Sequence, residues 1–148
     1  MKNAAIILLA LLIGGCSGLR EAVKGFKGVS TKVLEDNLKD ASKKDFNLDY
    51  ETAYYKAEGV LGDIHCYVYT KDPQKKLIAV YVSEADTTPV GIFFKAIDKN
   101  RTQIQVSSPS SFAKESVAEK FFAALDKTLK EKKVNVQLDV TGEAAKIK

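Results

Sequence analysis

The chemistry open to this 148-residue chain starts with His65-Cys66, where an imidazole adjoins a thiol. A cysteine nucleophile needs a base within hydrogen-bond reach. Residues 64–70 read as a strand, however, and neighbours on a strand point to opposite faces, so an extended segment keeps the two apart. His65 is the sole histidine and no Gly-x-Ser-x-Gly elbow is present, which leaves a serine-histidine-aspartate site without its parts. One histidine, with the single cysteine that remains once Cys16 is set aside, cannot fill a structural zinc shell. Residues 98–102 (Asp-Lys-Asn-Arg-Thr) begin like a calcium loop. Gln103 and Pro109 then stand where that loop needs glycine and glutamate. Gly25-Phe26-Lys27-Gly28-Val29-Ser30 lacks the spacing and the Gly-Lys-Ser/Thr ending of a phosphate loop. The expectation is a protein that is not an enzyme and holds neither metal nor cofactor.

Cys16 offers chemistry of another kind. Lys2 precedes an apolar run of ten residues, Ala4 to Ile13, and Gly14 and Gly15 break the helix just before the cysteine. A basic start, an apolar stretch and a small-residue site form the secretory pattern. Spanning a bilayer takes about 20 apolar residues, so a transmembrane anchor is disfavoured. Leu12-Ile13-Gly14-Gly15-Cys16 resembles the lipobox of bacterial lipoproteins. That resemblance implies cleavage between Gly15 and Cys16 and diacylation of the Cys16 thiol. Each buried CH₂ contributes about 0.8 kcal/mol, so one acyl chain holds weakly and two or more anchor stably. The next residue is Ser17 rather than Asp, which by the same resemblance implies the outer membrane in a bacterium with two membranes. The expected localisation is the cell envelope, with the membrane as partner through Cys16.

Removing residues 1–15 leaves 133, enough for one domain with a core but not two. Lys2 goes with them, so 22 basic residues oppose 19 acidic ones, a mature net charge of +3. The lysines are scattered apart from Lys127, Lys130, Lys132 and Lys133, whereas a nucleic-acid binder gathers its charge on one face. No nucleic-acid partner is expected. Lipidation of Cys16 leaves Cys66 alone, so no internal disulfide staples the domain. A lone exported cysteine is either buried as a small hydrophobe or available for an intermolecular bond, and the strand reading favours burial.

Residues 16–30, with Gly18, Gly25 and Gly28, read as a lipidated tether. Val33, Leu34, Leu38 and Ala41 suit a short amphipathic helix over 31–41 capped by Ser30. Phe46 and Leu48 alternate with polar residues, a short strand ending at Asp49. Asp49 is a good N-cap for a helix over 50–61, whose Tyr50, Tyr54, Ala57 and Leu61 share a face; tyrosine and threonine make a strand the competing reading. Strands are predicted over 64–70, 77–83, 90–97 and 102–107, separated by turn-rich segments, hence an antiparallel meander. Pro89 falls at a strand's first residue, where proline is tolerated. Ser108-Pro109 opens the clearest helix, with Val117, Phe121, Ala124, Leu125 and Leu129 inward and Lys114, Lys120, Asp126 and Lys130 towards water. The domain is expected over 31–133. Val134, Val136, Leu138 and Val140 alternate with polar residues, so 134–148 is an edge strand or a tail.

The fold class predicted is α+β in the order β-α-β-β-β-β-α, an antiparallel meander with a long C-terminal helix packed across it. This order resembles the helix-grip architecture and the domains of BamC, a lipoprotein of the outer-membrane β-barrel assembly machinery. Small bacterial lipoprotein families are also similar through Asp86-Thr87-Thr88-Pro89-Val90-Gly91-Ile92-Phe93-Phe94 and Ser107-Ser108-Pro109-Ser110. The resemblance is architectural and carries over no functional residues. Both faces of the sheet read as apolar or aromatic, with His65, Tyr67, Tyr69 and Tyr81 on the second. Either the 31–41 helix or the C-terminal segment covers that face, or the tyrosines simply sit half-exposed, or the face docks a partner or an elongated ligand. The functional expectation is a non-catalytic envelope lipoprotein acting as an interaction or accessory domain with an envelope protein partner. The alternative is a binder, on the periplasmic side, of a small apolar ligand or lipid.

Overall fold

A computed structural model of the protein describes the backbone of residues 30–144 and the side chains of 30–131. The chain divides into two units, Met1–Ser30 and Thr31–Lys148. The expectations for Gly15, Cys16, the signal segment and all of the tether but Ser30 lie outside the described residues.

The second unit runs α1 (Lys32–Asp36), a 3₁₀ turn (Leu38–Asp40), β1 (Ser42–Phe46), α2 (Tyr50–Asp63), β2 (Tyr67–Asp72), β3 (Leu77–Tyr81), β4 (Pro89–Asp98), β5 (Arg101–Ser107) and α3 (Ser111–Ala144). The strands form one sheet in the order β1-β5-β4-β3-β2 with every neighbouring pair antiparallel. Four consecutive strands make the meander, and β1 returns to close against β5. The α+β class and its long C-terminal helix are as the sequence pattern implies.

One face of the sheet carries the main core. Ile78, Val80, Val90, Ile92, Phe94, Ile104 and Val106 meet Ala57, Val60 and Leu61 of α2 and Val117, Phe121 and Leu125 of α3. Burying a side chain such as Phe121 or Leu125 contributes roughly 1.5–3 kcal/mol, so this layer accounts for most of the packing energy. Helix α2 starts where Asp49 accepts a hydrogen bond from the Thr52 amide at 2.9 Å, an N-cap that decides helix over strand. On the opposite face α1 lays Leu34 on Leu77, Ala79 and Phe93, flanked by Val33, Leu38 and Tyr69. Towards β1 the same face turns polar, with Gln105 donating to Gln103 and Gln103 to Asp45.

Several boundaries differ from the expectation, each for a local reason. The 31–41 helix divides, because the Asn37 side chain donates to the Val33 carbonyl at 2.7 Å and a 3₁₀ turn follows. Its N-cap position is Thr31, not Ser30. Strand β1 lies earlier than Phe46–Leu48 suggested, since Ser42 to Phe46 all pair with β5. Helix α3 starts at Ser111, not at Pro109. Ser108 is tied to the sheet by donating to the Pro89 carbonyl at 2.8 Å, and Ser110 caps the helix by accepting from the Ala113 amide at 3.2 Å. The backbone of residues 134–140 continues α3 instead of forming an edge strand.

Two residues expected to face water have partners. Lys114 donates to the Asp40 carbonyl at 2.8 Å, and Asp126 pairs with Lys44 of β1. Both contacts pin α3 to the first strand region.

The largest correction concerns His65 and Cys66, which precede β2 and belong to the end of α2. His65 donates its amide to the Gly62 carbonyl and Cys66 donates its amide to the Leu61 carbonyl, the paired bonds of a Schellman closure. His65 takes the left-handed position of that motif, at φ 59°, where glycine is usual. The strand therefore starts at Tyr67.

Candidate functional site

The Schellman turn places His65 and Tyr67 at one corner of the sheet. Tyr67 opens β2 and pairs across to Tyr81, the last residue of β3. Their rings stack at 6.2 Å with 10° between planes. Tyr69 also stacks on Tyr81, at 4.4 Å and 23°. Residues two apart on a strand share a face, which brings Tyr67 and Tyr69 together. A bulge between Val68 and Thr70 crowds Tyr69 towards Ala79 and the Leu34 cluster.

The three tyrosines differ in what they leave exposed. Tyr67 is 50% exposed, and its ring stacks on Tyr81. Tyr69 reaches inward, and its buried hydroxyl has no hydrogen-bond partner. Burial, with a smaller contribution from Tyr81, raises the Tyr69 phenol above its ordinary value, so it stays protonated at neutral pH. Helix α1 thus covers the Leu77, Ala79 and Phe93 part of the second face and stops short of Tyr67. The 31–41 segment therefore covers one part of the face, while Tyr67 sits half-exposed on the other.

His65 is exposed at the margin of this stack, while Cys66 is half-buried against the main core. No hydrogen bond joins them among the described residues. Their separation follows from the Schellman turn, not from strand alternation. Burial raises the Cys66 thiol above its ordinary value against a weaker opposing pull from Lys120. A protonated thiol is a poor nucleophile. Among the described residues no group of three or more histidine, cysteine, aspartate or glutamate side chains could hold a metal ion. No described helix is long and apolar enough to cross a membrane.

Beside Tyr67 lies a cleft of about 540 Å³ lined by Gly62, His65, Cys66, Tyr67, Ser83, Glu84 and Ala85. Ser83 to Ala85 lie in the β3–β4 loop: β3 ends at Tyr81, two residues before the end of the strand expected over 77–83, and only 84–89 reads as a turn-rich separator in the sequence. The loop is ordered by its own polar residues. The Asp86 amide donates to Ser83 Oγ at 2.9 Å, and the Thr88 amide and hydroxyl both donate to Asp86 Oδ1. Those bonds hold the Asp86 carboxyl below the usual carboxylate range. The signal for this cleft was the Asp-x-Thr spacing at Asp86 and Thr88, which fixes a loop instead of merely permitting one. A second cleft, about 510 Å³ beside α2 and β2, is bordered by the Glu58–Lys71 salt bridge at 3.1 Å, which already pairs its charges.

Set against known proteins, the chain matches no protein-family model and no curated protein. The function therefore has to be argued from the site.

Proposed function

We propose that the protein is a lipid-anchored envelope lipoprotein whose folded unit is a non-catalytic interaction domain, presenting the Tyr67, Tyr69 and Tyr81 corner with His65 at its rim. The anchor rests on the lipobox residues Leu12 to Cys16. The observation that carries the domain's role is the stacked tyrosine corner: rigid, aromatic and left open by α1. Aromatic rings with few rotatable bonds make contact area at low entropic cost, which suits a docking surface. The arrangement of His65 and Cys66 fits this reading, since neither activates the other.

The apolar-ligand alternative has less support. Phe121, Leu125, Ile92 and Ile104 are fully buried where sheet and α3 meet, so side chains already fill the space such a ligand would take.

Two measurements test the proposal. Palmitate labelling with membrane fractionation compares wild type with Cys16→Ser, with and without globomycin. Loss of label and release into the soluble fraction are expected, and retained membrane association refutes the anchor. Photocrosslinking from position 67 in intact cells tests the surface. A specific adduct with an envelope component, lost when the probe moves to exposed Lys99, is expected. Identical patterns from both positions overturn the docking role.

A further inference from the structure

The cleft beside Tyr67 has a composition that selects for one kind of ligand. We infer that it binds a sugar ring of a glycan, stacked on the half-exposed ring of Tyr67 and hydrogen-bonded to Glu84, Ser83 and His65. This inference rests on the docking role of the tyrosine corner and names the chemistry recognised there.

Four observations lead to it. First, Tyr67 is a fixed platform, because Tyr81 and then Tyr69 back it at 10° and 23°. The face of an aromatic ring is electron-rich and attracts the polarised C–H bonds along one side of a pyranose. Second, the volume of about 540 Å³ falls within the range of small-molecule sites, about 300–1,000 Å³. Third, the lining adds polar groups to the ring. Glu84 supplies acceptors, Ser83 a hydroxyl and His65 an imidazole. Fourth, Gly62 lines the cleft without a side chain, and a Cβ there would meet nothing within 4 Å.

The same residues argue against other ligand classes. A hydrocarbon chain would strand Glu84, Ser83 and His65 without partners. A phosphate or nucleotide would face the Glu84 carboxylate in a cleft lined by no lysine or arginine. A sugar meets both kinds of lining, its C–H bonds against the aromatic ring and its hydroxyls against the polar groups. An uncharged or amino sugar suits Glu84 best.

The test uses the mature, full-length protein in detergent micelles, titrated with three soluble probes: a tetramer of N-acetylglucosamine, cellotetraose and maltotetraose. Amide NMR and calorimetry read binding, and tyrosine fluorescence, with no tryptophan to mask it, reads the six tyrosines together, the Tyr67 share being the part lost in Tyr67→Phe. At least one probe is expected to bind saturably, shifting the amides of Gly62, His65, Tyr67, Ser83 and Glu84. Tyr67→Ala should weaken binding at least tenfold, whereas Tyr67→Phe keeps the stacking face and stays within about twofold. Glu84→Gln should weaken it several-fold. Gly62→Ala should also weaken it by filling the cleft, in a protein that stays folded because nothing opposes the new methyl group. Saturable binding that ignores Tyr67→Ala, shifts confined to other parts of the fold, or no binding of any probe at millimolar concentration overturns the inference. So does saturation of the same amides by a phenylalanine-containing tetrapeptide and not by sugars, which would make the cleft a peptide site. Persistence of the position-67 crosslink to an envelope protein, with no sugar bound, would defeat the glycan assignment alone and leave the docking role standing.

Discussion

A Cβ at Gly91 would stand 3.2 Å from Leu34 Cβ and 3.3 Å from Leu34 Cδ1, so α1 meets β4 where the strand has no side chain to offer. The missing methyl group is what lets a helix of only five residues, Lys32–Asp36, lie flat on the sheet. The same Cβ would come within 2.6 Å of the Phe93 ring, which is itself nearly buried.

Gly91→Ala should therefore overpack this face and cost about 1–3 kcal/mol. Urea unfolding checks it: a lower midpoint with an unchanged slope is expected. A midpoint at or above wild type would mean that Phe93 and Leu34 shift freely.

Ser107 should matter beyond its size. Its hydroxyl donates to the Leu34 carbonyl at 2.8 Å inside a fully buried site, joining the last strand to the first helix. Ser107→Ala leaves that carbonyl unsatisfied and should cost about 1–3 kcal/mol. Hydrogen exchange should show the loss concentrated at α1, with β3 and β4 still protected.

The attachment of α1 should also respond to pH. Lys75 donates to Glu35 at 2.6 Å, and that bond holds the Glu35 carboxyl below its ordinary value of 4.5. A carboxyl lowered on folding gives stability that is present above its unfolded value and lost as the pH falls through its folded value. The same bond raises Lys75 above 10.5, so the contribution is complete below 10.5 and is lost as the pH rises through the folded value. Both groups are exposed, so the effect is small and screened by salt. Wild type should exceed Glu35→Gln in urea midpoint at neutral pH and converge with it by about pH 2. A gap that persists in acid would show that the substitution harms packing instead.

Cys66 should label slowly. Burial raises its thiol, so less thiolate is present at neutral pH than in an unhindered cysteine. Its iodoacetamide rate in the folded protein should be well below the rate after urea unfolding and should climb with pH. Equal rates in both states would place the thiol in open solvent.

Two tyrosine hydroxyls, those of Tyr54 and Tyr69, are buried without a partner. Removing a buried unsatisfied hydroxyl relieves its desolvation cost, so Tyr54→Phe and Tyr69→Phe should each stabilise by roughly 1 kcal/mol. Tyr67→Phe, at a half-exposed ring, should be neutral. Thermal unfolding separates the three variants.

The sheet and its helices were legible because their signals are periodic or chemical. Asp49 announces α2 through one oxygen, and Val117, Phe121 and Leu125 trace the buried stripe of α3. The end of α2 was hidden because His65 performs a task that sequence reading assigns to glycine. With the stop misplaced, Ile64 to Cys66 passed for strand, since isoleucine and cysteine suit both states. Val134 to Val140 misled for a related reason: alternating valines look like a strand, but a helix already under way continues through them. Of the site, the tyrosines could be named from alternation alone. Glu84 and Ser83 could not, because only the folded loop brings them beside Tyr67.

The pairing of β1 with β5 has a consequence in time. Phe46 finds its partner in Thr102, so the first strand of the sheet waits for the last before it can be seated. Closing that long loop is entropically costly, and contacts so far apart in sequence slow folding. A chain made or threaded from its amino end thus leaves β1 unpaired until the last strand of the sheet has emerged, while the hairpins β2–β3 and β3–β4 can already form.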